Sequence, residues 1–422
     1  MKFTKTILKN GLTVLSVPTK DSLSVTVLVM VHTGSKYETK DKNGISHFLE
    51  HMCFKGTKKF PKPSDISIEL DKIGSQSNAF TDHEFTGYYA KAHPDHMDTI
   101  IDIVSDIYLN SLFDPKEIEK EKGVIVEEIN MYEDMPHRIV QEVFTEVMYG
   151  DQPAGWGVAG TKETVRGMTR EDFLAYHTNH YVAGATTIIV AGNFESTHAL
   201  TKIENAFSAI STSPKGEKNK VIESQVKPEI KIKQKNTDQT HIVLGVRGYD
   251  AKNEKNYALK ILSTVLGGGM SSRLFQKLRE EMGVGYYVRA GVDEYTDHGV
   301  LSVSTGVDVK RVDEVVSAIL VEMNRFTTEL ISDEELKRTK DYMIGNMYLG
   351  LESSDALAEY YAIQDILMSD LITPDELAQK VQKVTAEEIQ SVAREIMRDD
   401  RLNMAIVGNI PDPESLTKIF HF

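Results

Sequence analysis

The pattern of hydrophobic and polar positions predicts both strands and helices in the first part of the chain. Residues 12–17 and 24–32 are rich in β-branched residues, and a polar turn separates them, so we predict two strands. The apolar residues of 64–73 recur at helical spacing, and residues 78–90 return to strand character. Strands and helices are therefore mixed along the sequence.

The same order of signals occurs twice, which predicts two similar domains. Matching segments lie 215 to 218 positions apart. They are Thr81-Asp82-His83 with Thr296-Asp297-His298, Thr169 and its following Gly192 with Thr385 and Gly408, and the capping boxes at Asp114 and Ser332. We expect one domain over residues 1–210 and a second over 227–422. The segment 211–226, rich in turn formers and charge, is the predicted linker.

The segment Ile45–Cys53 is a predicted helix whose histidine and glutamate side chains all lie on one side. At about 100° per residue, His47, Glu50 and His51 share one face, and the apolar residues occupy the opposite one. Two imidazoles one turn apart can bind one zinc ion, and a neighbouring carboxylate can take a proton from water. The order His-x-x-Glu-His is the inverted zinc-peptidase signature. The alternative is a surface helix with two solvated histidines, and a third ligand is needed to overrule it.

A second helix, predicted to begin at Asp114, carries two acidic residues of interest. Glu121 and Glu128 are two turns apart and share a face, and Glu128 interrupts an apolar run. A carboxylate buried there would be costly unless it met a cation or a metal. In the second repeat these positions fall on Thr339 and Asn346, and no His-x-x-Glu-His is found there. One domain is therefore expected to hold a metal and the other is not.

Composition narrows the class of protein. The 422 residues are 41% hydrophobic and 26% charged, as in an ordinary globular protein, and the length favours more than one domain. The formal charge of -15 argues against a nucleic-acid surface. No apolar run approaches the roughly 20 residues that span a bilayer, and the N-terminus has no secretion signal. We expect a cytoplasmic protein without membrane contact; Cys53, the single cysteine, is predicted to be a core residue.

These motifs resemble the pitrilysin/insulinase family of zinc endopeptidases, most closely the branch related to the mitochondrial processing peptidase β subunit. The resemblance covers essentially the whole chain. In that family the third ligand follows 76 residues after the second His, a position that is Glu128 here, and Glu121 matches an acidic residue seven positions before the ligand. Further matching segments are Gly34-Ser35, Glu38, 43–52, Phe54–Thr57, Asn78-Ala79, and Tyr88 or Tyr89.

The second half contains a glycine-rich segment, residues 266–275, that invites a phosphate-binding interpretation. It lacks the Gly-Lys-Ser/Thr ending of a P-loop, which argues against that function. In the family, an Arg and a Tyr seven residues later reach into the active site from this region, and Arg279 and Tyr286 stand at those positions. Because successive strand residues face opposite ways, Tyr287 is not expected to serve the same role.

The resemblance implies a zinc-dependent endopeptidase that acts on peptides or unfolded segments. His47, His51 and Glu128 would bind one Zn²⁺ per chain, and Glu50 would be the general base. The remaining implied roles are oxyanion or substrate contacts for Tyr286 and Arg279, orientation of a ligand histidine by Glu121, and binding of the substrate as an added strand at Asn78 and Ala79.

The fold implied is α+β, with two similar halves that each contain an antiparallel-rich sheet with helices on one face. Longer relatives form a four-domain chamber, so we expect a homodimer or a heterodimer with a related subunit. The alternative function is a non-catalytic scaffold or peptide-binding subunit, as in relatives that have lost a ligand or the base. A zinc hydrolase acting on a non-peptide substrate is a further alternative.

Overall fold

The structure is a computed structural model that describes residues 2–285, 287–368 and 370–422. Its strands are β1 (Thr4–Ile7), β2 (Thr13–Pro18), β3 (Val25–Val31), β4 (Gln76–Thr81), β5 (Thr86–Ala92), β6 (Thr186–Gly192), β7 (Glu229–Gln234), β8 (Thr240–Arg247), β9 (Val288–Glu294), β10 (Gly299–Val307) and β11 (Leu402–Gly408).

The α-helices are distributed between these strands, with short 3₁₀ turns at several junctions. They are α1 (Ile45–Cys53), α2 (Pro63–Lys72), α3 (Met97–Asn110), α4 (Pro115–Glu133), α5 (Pro136–Tyr149), α6 (Lys162–Gly167), α7 (Arg170–His180), α8 (Ser196–Ala206), α9 (Asn256–Gly267), α10 (Val312–Thr328), α11 (Asp333–Gly350), α12 (Ser354–Leu367), α13 (Pro374–Lys383), α14 (Ala386–Ile396) and α15 (Pro413–Ile419). A π-helical segment spans Phe275–Glu281.

The chain forms two compact units, and neither is a continuous stretch of sequence. The first unit contains Met1–Ile129, Trp156–Asn219 and Tyr348–Pro374, and the second contains Asn130–Gly155, Lys220–Met347 and Asp375–Phe422. The predicted boundaries, residues 1–210 and 227–422 with a linker at 211–226, therefore describe the sequence repeat but not the compact units. The cause is an exchange: α12 packs on the sheet of the first unit, and α5 packs on the sheet of the second.

The sheet of the first unit has the strand order β1-β2-β6-β3-β5-β4, in which only β2 and β6 are parallel. Strand β3 is buried along its whole length because both faces of the sheet are covered. Val27 and Val29 face a core shared with α1 and α3. Thr26 faces the other way, and its hydroxyl lies 2.8 Å from that of Ser354 on α12.

The sheet of the second unit repeats this arrangement. Its order is β7-β11-β8-β10-β9, and β7 and β11 form the parallel pair. Ile242 and Leu244 face the main core of the unit. Val243 faces the opposite side and packs with Val140 and Phe144 of α5. Each sheet thus carries a helix on its second face, in addition to the helices on one face that were predicted.

The predicted α+β class with two similar halves is confirmed. The repeated Thr-Asp-His segments both lie where an edge strand turns into its neighbour, the first at the end of β4 and the second just before β10. Thr169 and Thr385 both cap helices through capping boxes. The segment 78–90, predicted as strand, is a hairpin made by β4 and β5, and strand β1 was not predicted.

The described residues include no helix that combines the length and the apolar character needed to cross a membrane.

Candidate metal centre

Helix α1 supplies three polar side chains to one site because its other face is fixed in the core. Phe48, Leu49 and the remaining apolar residues of the helix are buried, as the periodicity predicted. His47, Glu50 and His51 occupy the opposite face, and the two imidazole centroids are 4.6 Å apart.

The carboxylate of Glu128, on α4, lies close to both imidazoles. Its Oε2 lies 3.7 Å from Nε2 of His47 and 3.5 Å from Nε2 of His51. One ligand atom from each of the three side chains lies within 4.8 Å of the others, and no second group of this kind was found among the described residues. Two ligands of a tetrahedral zinc ion, each at about 2.1 Å from it, are about 3.4 Å apart. The three side chains therefore fit a divalent ion of that size.

Glu121 fixes the orientation of the second histidine. Its Oε1 accepts a hydrogen bond from Nδ1 of His51 at 2.9 Å, and its Oε2 lies 2.6 Å from Nζ of Lys55. With Nδ1 donating, Nε2 of His51 has its lone pair directed towards Glu128. Burial opposes ionisation of Glu121, but its hydrogen bonds with His51 and Lys55 lower its pKa below the ordinary value. Its predicted role in orienting a metal ligand stays a prediction.

The charges around His51 favour a cation at this site. Burial lowers the pKa of His51, but the hydrogen bond with Glu121 and the nearby charges of Glu50 and Glu128 more than offset it, and the net pKa is raised. Burial and the neighbouring His51 lower the pKa of His47 to about 4, so its imidazole is neutral near pH 7. Divalent metals bind neutral imidazoles and ionised carboxylates, so His47 is in its ligand form near pH 7, whereas a metal has to compete with a proton for His51.

Glu50 is held by the neighbouring edge strand. Its Oε2 accepts a hydrogen bond from the hydroxyl of Thr81, the last residue of β4, at 2.5 Å. Burial raises the pKa of Glu50 above its ordinary value. A carboxylate of raised pKa, one residue before a metal-ligand position, is suited to accepting and returning a proton.

The other predicted site residues lie on different elements of the chain. Asn78 and Ala79 lie on β4, the edge strand that also carries Thr81. Arg279 belongs to the second unit, where its guanidinium lies over the ring of Phe275 at 5.2 Å. Tyr286 lies outside the described residues. The roles assigned to Arg279 and Tyr286 therefore stay predictions. Tyr287, which was not expected to act, has its hydroxyl 3.0 Å from Nδ1 of His241.

Two contributors to the site were not singled out by the sequence. In the sequence, Thr81 stands out only as part of a repeated Thr-Asp-His segment, and Lys55 only as part of the family segment Phe54–Thr57. Each acts through a partner distant in sequence, Glu50 for Thr81 and Glu121 for Lys55. A local sequence pattern does not predict a contact between residues that are distant in sequence.

Two parts of the chain match known protein families. Residues 13–162 match the family described as insulinase (peptidase family M16), and residues 167–343 match the peptidase M16 inactive domain. The chain is 34% identical to the uncharacterized zinc protease YmxG of Bacillus subtilis over 92% of its own length and 94% of the relative's. It is 34% identical to an uncharacterized zinc protease of Rickettsia felis, with 95% and 96% covered.

Solved structures share the fold at lower identity. A protease from Helicobacter pylori superimposes with a TM-score of 0.89 at 23% identity, covering 96% of this chain and 99% of that one. The peptidase M16 inactive domain from Pseudomonas fluorescens gives a TM-score of 0.90 at 15% identity, covering 98% and 100%.

Proposed function

Because the chain belongs to the insulinase family, peptidase family M16, we propose that it is a zinc-dependent endopeptidase that hydrolyses peptides or unfolded segments of proteins. The observation that carries this proposal is the convergence of His47, His51 and Glu128, with Glu50 beside them. Relatives that are named zinc proteases favour zinc as the ion. A single three-ligand group among the described residues favours one ion per chain.

The protein's own residues divide the chemistry between them. His47, His51 and Glu128 would hold the ion, and Glu121 keeps the His51 ring in the binding tautomer. A bound zinc ion supplies Lewis acidity, which acidifies water and polarises a carbonyl. Glu50 takes a proton from water and later delivers it to the leaving amine. Thr81 occupies one oxygen of that carboxylate and leaves the other for the proton transfer.

Strand β4 offers a backbone edge for the substrate. The N–H of Asp82 donates to the carbonyl of Phe85 at 2.8 Å, so the backbone of Asp82 faces β5. Because backbone groups alternate in direction along a strand, those of Asn78 also face β5, whereas those of Ala79 and Thr81 face the open edge. An extended peptide would pair with Ala79, and main-chain bonds would give affinity with loose sequence preference. In the free protein, Oδ1 of Asn78 accepts the N–H of Ala79 at 3.0 Å, and the substrate would replace that bond.

The remaining assignments are part of the same proposal. Arg279 and Tyr286 would contact the substrate backbone or the developing oxyanion. The family resemblance supports placing the chain in the branch related to the β subunit of the mitochondrial processing peptidase. The active form would be a homodimer or a heterodimer with a related subunit.

The test combines zinc analysis with cleavage of quenched, unstructured peptides by the wild type and Glu50→Gln. We expect stoichiometric zinc in both proteins and a loss of cleavage of about 100-fold or more in the variant, since a general base contributes about 10²–10⁴-fold. Glu127→Gln is the matched control because Glu127 is exposed on the helix that carries Glu128. Its cleavage rate should equal that of the wild type.

A non-catalytic, peptide-binding subunit is the second candidate. It is favoured by the match of residues 167–343 to a domain described as inactive. The first unit nevertheless retains all three ligand positions and the carboxylate at 50. Stoichiometric zinc without any Glu50-dependent cleavage across varied peptides would support this candidate and refute the endopeptidase.

A further inference from the structure

Helix α1 has no capping side chain of its own at its N-terminus. The residue before it, Gly44, has φ 97°, and a Cβ there would lie 2.5 Å from the carbonyl oxygen of Ala159. The first N–H groups of a helix need acceptors from outside it. Glu38 provides one of them, because its carboxylate accepts the N–H of Ser46, the second residue of the helix, at 2.8 Å, and it also accepts the N–H of Gly44 just before the helix at 2.7 Å. Nδ2 of Asn43 adds a third bond at 2.9 Å.

The loop that carries Glu38 is fastened to the turn between β4 and β5. The N–H of Ser35 donates to the carbonyl of Asp82 at 3.1 Å, and the N–H of Lys36 donates to that of His83 at 2.8 Å. Nζ of Lys36 lies 2.8 Å from Oε1 of Glu84, and each side chain is only 1% exposed. Breaking such a buried pair on one side is strongly destabilising. The loop and the turn are therefore joined as one structural element.

This element, defined as residues 34–38 with the turn 82–85, holds α1 at two places. Glu38 binds the N-terminus of the helix, and Thr81, next to the turn, binds the carboxylate of Glu50. The hydroxyl of Tyr176 adds a contact at 2.7 Å to that of Ser46. The start of α1 is thus defined mainly by contacts from outside the helix.

The two histidines differ in how their rings are held. The His51 ring is fixed by Glu121. Nδ1 of His47 is buried and, within the described part of the chain, has no hydrogen-bond partner. His47 is also the third residue of α1, within the turn that would fray first without a cap. The position of its Nε2 therefore depends on the backbone of that first turn.

We propose that Glu38 is a positioning residue for the metal centre: by capping α1 it fixes the first turn and thereby the distance from His47 to Glu128. Glu128 lies on a separate helix, and a slip of α1 by one residue would move His47 by about 1.5 Å relative to it. The inference rests on the proposed function, because it concerns the ligands of the proposed zinc ion.

The test is the Zn²⁺ affinity of Glu38→Gln, measured by competition with a chromophoric chelator while circular dichroism reports folding. The amide keeps the size of the side chain but turns one acceptor into a donor that faces N–H groups. We expect Zn²⁺ affinity to fall about 10-fold, in the range seen when residues that support metal ligands are changed. The visible spectrum of the Co²⁺-substituted protein should change as well, and Glu38→Asp, which keeps the carboxyl group, should recover part of the affinity.

Thr385→Ala is the matched control. It removes a comparable cap, that of α14 in the second unit, at a cost of about 1 kcal/mol in stability. Its Zn²⁺ affinity and Co²⁺ spectrum should match those of the wild type, which separates positioning from general destabilisation.

Four outcomes decide the inference. A folded Glu38→Gln with Zn²⁺ affinity within twofold of the wild type and an unchanged Co²⁺ spectrum overturns it, while the proposed function stands. If Glu38→Gln does not fold, the same criterion applies to Glu38→Asp. A weakened Thr385→Ala also overturns it. If the wild type binds no Zn²⁺, or His51→Ala binds it equally well, the proposed function fails and takes the inference with it.

Discussion

Replacement of Glu121 by Gln tests whether the contact behind His51 determines metal affinity. The side chain is only 5% exposed and has two cationic or polar partners, His51 at 2.9 Å and Lys55 at 2.6 Å, one on each carboxylate oxygen. A Gln side chain has the same shape but a single acceptor oxygen. It can therefore satisfy either His51 or Lys55, and its NH₂ group must face the other donor.

The magnitude follows from the role of the contact. Loss of a carboxylate that orients a metal-binding histidine costs about 10–100-fold in metal affinity. Because each factor of ten is about 1.4 kcal/mol, the expected loss in zinc binding is about 1.4–2.8 kcal/mol. Glu50 and Thr81 are not in this contact, so the hydrogen bond between them should remain.

The assay is zinc titration against a competing chelator, with Glu119→Gln as the control. Glu119 lies on the same helix and also pairs with a lysine, Lys122 at 2.6 Å, but its side chain is 69% exposed. An exposed pair of this kind contributes about 0.2–0.5 kcal/mol to helix stability and nothing to the metal. Equal zinc affinities for Glu121→Gln and Glu119→Gln would refute the role assigned to Glu121.

Two further predictions concern stability. The carboxylate of Asp365 is 4% exposed and lies 2.6 Å from Nζ of Lys5; burial raises its pKa, but its hydrogen-bond partners lower it well below the ordinary value. The ionised carboxylate of Asp365 therefore contributes its full stabilisation above the unfolded-state pKa of about 3.9, and this stabilisation is lost as the pH falls towards the lower pKa of the folded state. We expect Asp365→Asn to lower the free energy of unfolding in urea by about 2–3 kcal/mol at pH 7 and by less at pH 3. An equal loss at both pH values would contradict this. Gly34→Ala places a Cβ 2.0 Å from the carbonyl oxygen of Asp82 and should cost about 1–3 kcal/mol, whereas Gly123→Ala, whose Cβ meets no atom, should raise the stability by about 0.5–1 kcal/mol in the same measurement.

The part of the site on α1 could be predicted from local sequence because a helix repeats every 3.6 residues. That period alone places His47, Glu50 and His51 on one face and the apolar residues on the other. The contribution of Glu128 could not be obtained this way, since it comes from a separate helix. It required the interrupted apolar run and the family spacing, and the distances of 3.5 and 3.7 Å to the imidazoles agree with that assignment.

The exchanged helices show what the hydrophobic pattern leaves open. Helices α5 (Pro136–Tyr149) and α12 (Ser354–Leu367) have equal lengths and occur at the same repeat offset as the capping boxes. Their apolar faces predict burial but do not specify a partner, and the duplication suggested that each would pack within its own half. The fully buried strands β3 and β11 were the available signal, because a strand apolar on both sides needs cover on both faces. Neither 1–210 nor 227–422 alone contains the helix that covers the second face of its sheet. The core of the first unit, which holds the candidate metal centre, is therefore completed by a helix from the second half of the sequence.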